Sequence, residues 1–186
     1  MRSRTVPIGS AVIADAGLLL EFLDRSILRE RRLEALWKRA SRGPFADDFR
    51  EELEFEAYED REHARILRRH RATVARSVGA ERRAPGSRAS KMGRTFSPAS
   101  ALAEALSIKN ASRGEYAGMS RFVGDRFLRK FVEVLAGSED RALPRLLERA
   151  RHYGIRPKPP ESDRAERMRP VSPLLLQGAP AALSVA

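Results

Sequence analysis

The chain predicts an all-α fold of four helices arranged as two hairpins, and three observations carry that expectation. No run alternates apolar and polar residues over the length of a strand. Apolar residues recur at helical spacing in four segments, and one basic stretch containing glycine, proline and serine divides those segments two and two. The 186 residues, 42% of them hydrophobic, suit one domain with a tail and enough apolar side chains for a single core.

The first helix is expected over residues 11–40, stopped by Ser41-Arg42-Gly43-Pro44, where glycine ends one helix and proline suits the start of the next. The second is expected over 45–78, closing at Gly79. Residues 79–97, "GAERRAPGSRASKMGRTFS", hold five basic residues against one acid and read as a linker or crossover between the hairpins. The third begins with Ser97 as N-cap and Pro98 in the first turn and runs to 123. Gly124-Asp125 separates it from the fourth, over 126–153, where Gly137, Ser138 and Pro144 are expected to interrupt the middle because an interior proline removes a backbone bond. The bundle thus covers 1–153. Residues 154–186 are too rich in proline for regular structure and read as a disordered tail, with "PLLL" as its one docking candidate. Two hairpins joined by a long connection suggest a four-helix bundle with one crossover. Direct sequence similarity between the halves is weak.

Composition narrows the function classes. The absence of cysteine excludes a disulfide framework, a thiolate metal site and a cysteine nucleophile, so any metal must be held by nitrogen and oxygen. The apolar stretch "PIGSAVIADAGLLLEFL" is broken by Asp15 and followed by acids, which argues against both a secretory h-region and a spanning helix; the expectation is a cytoplasmic protein that does not enter a membrane. The net charge of +11 would attract phosphates or acidic proteins. The serines and the three histidines lack the spacing of a catalytic triad, and no glycine-rich phosphate loop is present.

The polar residues of the second helix do not all face water. With about 100° per residue, Phe49, Leu53, Leu67, Val74 and Val78 share one narrow sector, and Glu56, Asp60, His63 and His70 lie in it too. Glu54 and Glu62 point away from it, and His70 falls at the rim. On the first helix, Glu30 sits near the centre of the stripe formed by Leu19, Leu23, Leu33 and Trp37, with Glu34 closer to the margin. An inward carboxylate needs a partner, because burying an isolated charge costs several kcal/mol or forces protonation. Two solutions remain open on these residues: a metal ion, or an ion network with the many arginines.

The stretch "FEAYEDREHARILRRH" resembles the second helix of rubrerythrin and its ferritin-like relatives, in which a carboxylate-x-x-histidine motif helps to bind a di-iron centre and the preceding helix supplies a further glutamate. Asp60-Arg61-Glu62-His63 matches that motif with aspartate in place of glutamate. The resemblance implies a ferritin-like four-helix bundle in which Glu30, Asp60 and His63, with Glu56 as an auxiliary ligand, hold iron or another divalent metal such as manganese or zinc. If the protein is catalytic, the implied reaction is oxidation at iron by oxygen or peroxide, with Tyr58 and Tyr116 as redox candidates. The resemblance covers residues 18 to 74 and fades over the second hairpin, where Glu139-Asp140-Arg141-Ala142 has alanine in the place of histidine. That departure implies one complete half-site, or a member that keeps the fold without the metal.

The competing expectation is a basic helical module, without metal, that binds nucleic acid or another protein. It rests on the linker and on Arg31, Arg32, Arg68, Arg69 and Arg71, which point off the inner stripes. Aromatic residues interleaved for base stacking are absent, which makes nucleic acid the weaker partner beside a metal ion; a homodimer is compatible with either reading.

Overall fold

The computed structural model describes residues 16–79 and 97–157, which form four α-helices and, among the described residues, no strand. Helix α1 spans Ala16–Ala40, α2 Asp47–Ser77, α3 Pro98–Met119 and α4 Arg126–His152. The greater part of the basic linker and of the proline-rich tail lies outside the described residues.

Local chemistry explains the ends. The Ser97 side chain accepts the Ser100 amide with Pro98 in the first turn, as expected, and Asp125 caps α4 by accepting the Leu128 amide at 2.7 Å. Helix α4 closes at Gly154, whose φ of 68° favours glycine, and the Ile155 amide reaches back to the Ala150 carbonyl at 3.0 Å. That turn folds Ile155 into the core, so the start of the expected tail is packed. Between α1 and α2, a side chain on Gly43 would meet Phe45 at 2.6 Å and Pro98 at 2.9 Å, so glycine lets this turn sit against the start of α3.

Two boundaries differ from expectation. Helix α3 stops at Met119, and Phe122 and Val123 continue only as a turn onto the Met119 carbonyl. Helix α4 runs unbroken through Pro144. The ring is exposed, while Ala142, Leu143, Leu146 and Ala150 around it pack into the core, and this packing holds the helix despite the missing amide.

Packing joins α1 to α2, α3 to α4, α1 to α3, and α2 to α4. Cross-contacts fix the directions. Arg29 of α1 reaches Glu115 and Arg32 reaches Glu104, so α1 and α3 run antiparallel; Glu52 of α2 meets Arg145 and Arg149, while His70 stacks on Phe131, so α2 and α4 do too. With each hairpin antiparallel within itself, α2 and α3 run the same way. This arrangement fits a four-helix bundle with one long crossover.

The core falls into two apolar clusters. One gathers around Trp37, Phe49, Leu53, Leu102 and Leu146, the other around Phe22, Leu23, Leu67, Tyr116 and Val132. Between them lies a layer to which every helix contributes buried polar side chains: Glu30, then Glu56 and Asp60, then Lys109 and Ser112, then Glu139.

Candidate metal centre

Helix spacing builds the layer. On α1, Glu30 stands one turn from Ile27 and Leu33 and is fully buried, as its place on the stripe requires. On α2, Glu56, Asp60 and His63 follow one another at helical spacing between Leu53 and Leu67; both acids are fully buried and the histidine is half-buried. Glu54 is exposed and Glu62 half-buried, outside the layer.

Glu30, Asp60 and His63 come together. One donor atom from each lies within 4.8 Å of the other two: His63 Nδ1 is 3.3 Å from Glu30 Oε2 and 3.8 Å from Asp60 Oδ1. The remaining oxygen of each carboxylate is anchored. Tyr116 donates its phenol proton to Glu30 Oε1, and the Trp37 indole donates to Asp60 Oδ2 at 2.8 Å. Asp60 Oδ1 is buried and accepts no hydrogen bond. Each acid therefore has one oxygen held by the protein and one turned toward the cluster, which is how outer hydrogen bonds orient metal ligands.

Glu56 lies in the same layer on its other side. The Lys109 ammonium sits 2.8 Å from Glu56 Oε2, 3.1 Å from Glu139 Oε2 and 3.6 Å from Asp60 Oδ1, with no exposure to solvent. Arg145 reaches Glu56 only at 4.0 Å, at the edge. The counter-ion within the layer is thus a lysine, whereas the sequence pointed to metal or arginine. Lys109 follows Ala105 by four residues and precedes Ser112 by three, so it shares the inner stripe of α3. An amphipathic reading assigns lysine to water by default and passes over it.

A second signal was available. Thirty residues separate Glu30 from Asp60 and Lys109 from Glu139 alike, and three more lead to His63 in one case and Ala142 in the other. The same offset of 79 residues relates the last residue of α1 to that of α3, and the first of α2 to that of α4. The hairpins are thus in register with each other although their side chains differ. In that register Lys109 takes the place of Glu30, Glu139 that of Asp60 and Ala142 that of His63.

Electrostatics follow from the burial. Four carboxylates face one ammonium and one imidazole. Burial pushes the Asp60 carboxyl well above its usual range against the pull of Lys109, with Glu30, Glu139 and Glu56 adding to the rise. Burial likewise raises Glu139 from 4.5 to about 7 against the same ammonium. The carboxylates hold Lys109 charged, well above its ordinary value, although burial works the other way. With all four carboxylates ionised the layer would hold more negative charge than Lys109 neutralises, a load eased by the buried Arg29 guanidinium acting on Glu30 and by the upward shifts of Asp60 and Glu139 toward the protonated form.

Other sequence candidates lie apart. Tyr58 is exposed, while Tyr116 is buried and bonded to Glu30. His70 is half-buried against Phe131, a rim position as expected. Glu104 is buried and paired with Arg32, because residues 101–106 of α3 are buried on every side. Among the basic residues, Arg71 is tied to Asp24 at 2.5 Å. Among the described residues no helix is long and apolar enough to cross a membrane. No protein-family model, curated protein or solved structure matches the chain.

Proposed function

We propose that this is a ferritin-like metal-binding protein that holds one divalent ion, iron or else manganese or zinc, between Glu30, Asp60 and His63. The observation that carries this reading is the convergence of three donor atoms within 4.8 Å, two of them from fully buried carboxylates. Two carboxylates and an imidazole suit a borderline divalent ion, and Asp60 Oδ1, which accepts no hydrogen bond and has the Lys109 ammonium no nearer than 3.6 Å, is a donor that a cation could use. The helix directions, with one long crossover, support the ferritin-like class.

When bound, the ion would supply Lewis acidity or, as iron, one-electron chemistry toward oxygen or peroxide. The chain's own residues do the positioning. Tyr116 and Trp37 fix the two carboxylates, His63 closes the partly exposed side, and the apolar clusters above and below exclude water.

Metal analysis of untagged protein tests the reading. About one equivalent of metal is expected in the wild type and none in His63→Ala. The single tryptophan, Trp37, touches the site through Asp60, so its fluorescence should respond to Fe(II) or Mn(II) in the wild type and not in the variant. A wild type without stoichiometric metal, or a variant that keeps it, would overturn the proposal.

A further inference from the structure

We propose that the Lys109 ammonium occupies the second cation position of the buried layer, so that this chain is built for one metal ion where its two-hairpin framework has room for two. The inference deepens the metal reading above and rests on it.

Three observations converge. Lys109 Nζ is fully buried and lies among the oxygens of Glu56, Glu139 and Asp60, at 2.8, 3.1 and 3.6 Å, which is a carboxylate cage with an ammonium in it. Asp60 Oδ1 stands between the two cation positions, 3.8 Å from His63 Nδ1 on one side and 3.6 Å from Lys109 Nζ on the other. The register of the hairpins then says what was exchanged. At the two places where the first hairpin carries Glu30 and His63, the second carries Lys109 and Ala142, while the acid between them persists as Glu139. One substitution removes an oxygen donor and adds a fixed positive charge, and the other removes a nitrogen donor. A dication cannot sit between Glu56 Oε2 and Glu139 Oε2 while the ammonium is in contact with both, and the ammonium, tethered to α3, cannot be removed by a chelator.

The test is stoichiometry with Zn(II), which brings no redox change: titration against a chromophoric chelator, with metal analysis after desalting. One ion per chain is expected in the wild type. Two are expected in Lys109→Glu and in the double variant Lys109→Glu with Ala142→His, the second ion gaining roughly 100-fold or more in affinity over any second site in the wild type. If Lys109→Glu does not fold, Lys109→Met keeps the stem and removes the charge, and it too should take a second ion between Glu56 and Glu139.

Two ions in the wild type would overturn the inference and leave the metal reading standing. One ion in the wild type and still one in every folded Lys109 variant would overturn it as well. A wild type that takes no zinc beside a Lys109→Glu protein that does would defeat the metal reading and, with it, the count of one ion on which the inference rests. Zinc in none of these proteins would defeat both.

Discussion

Helices α1 and α2 bring three carboxylates and an imidazole to the buried layer, whereas α3 and α4 bring one carboxylate, one ammonium and a phenol hydroxyl. The two hairpins have matching turns and the same spacing between their layer residues, so the difference lies in side-chain chemistry and not in framework. The lesson is that a repeated backbone can divide its work. One hairpin presents open donor atoms, the other supplies a charge that is always in place, and each is incomplete alone.

The strongest way to break this division is to remove the fixed charge. Lys109→Ala should destabilise the metal-free protein by about 3–5 kcal/mol, because Glu56 and Glu139 lose their buried partner. His63→Ala should cost the metal-free protein far less, of order 1 kcal/mol, since the ring is half-buried and its contact with Glu30 is long at 3.3 Å. Urea denaturation with a chelator present measures both. Equal losses would abolish the contrast between a structural hairpin and a ligand-presenting one.

A pH series sharpens the same point. Glu139 binds its proton more tightly folded, at about 7, than unfolded, near 4.5, so the folded state holds more protons between those values. Its contribution to stability is therefore fully present below the unfolded value and lost as pH rises to about 7, on the order of 3 kcal/mol for this group. Glu139→Gln should flatten that part of the pH profile of the metal-free protein. A profile unchanged by the substitution would show that Glu139 stays ionised in the layer.

Smaller effects probe the anchors. Tyr116→Phe removes the hydroxyl that Glu30 relies on and should cost about 1–3 kcal/mol, and it should weaken metal binding by freeing the carboxylate to turn. Lys38→Ala deletes only an exposed pair with Glu34 one turn away, and thermal melting should register no more than about 0.5 kcal/mol.

Much of this was legible in the sequence. Periodicity gave the four helices, the Ser97 cap and the inward positions of Glu30, Glu56 and Asp60, because a helical stripe is a geometric property of spacing. Lys109 was not legible by the same reasoning, since its type says water and only the structure shows the carboxylates that keep it inside. The burial of Glu104 was hidden for a related reason. The first half of α3 is buried all round, and a helix without a wet side has no stripe to measure against. Pro144 misled because a local rule was overridden by packing on both of its flanks. The register between hairpins could have been found by comparing spacings of charged residues instead of identities.

The uneven split of charge also bears on which halves can meet during folding. A first hairpin pressed against a second copy of itself would bring Glu30, Glu56 and Asp60 into contact with the same three acids, with no ammonium among them. Two second hairpins would set one Lys109 against another. Only the unlike pair brings Glu56 and Asp60 to the ammonium, so the layer disfavours the pairing of like halves from neighbouring chains.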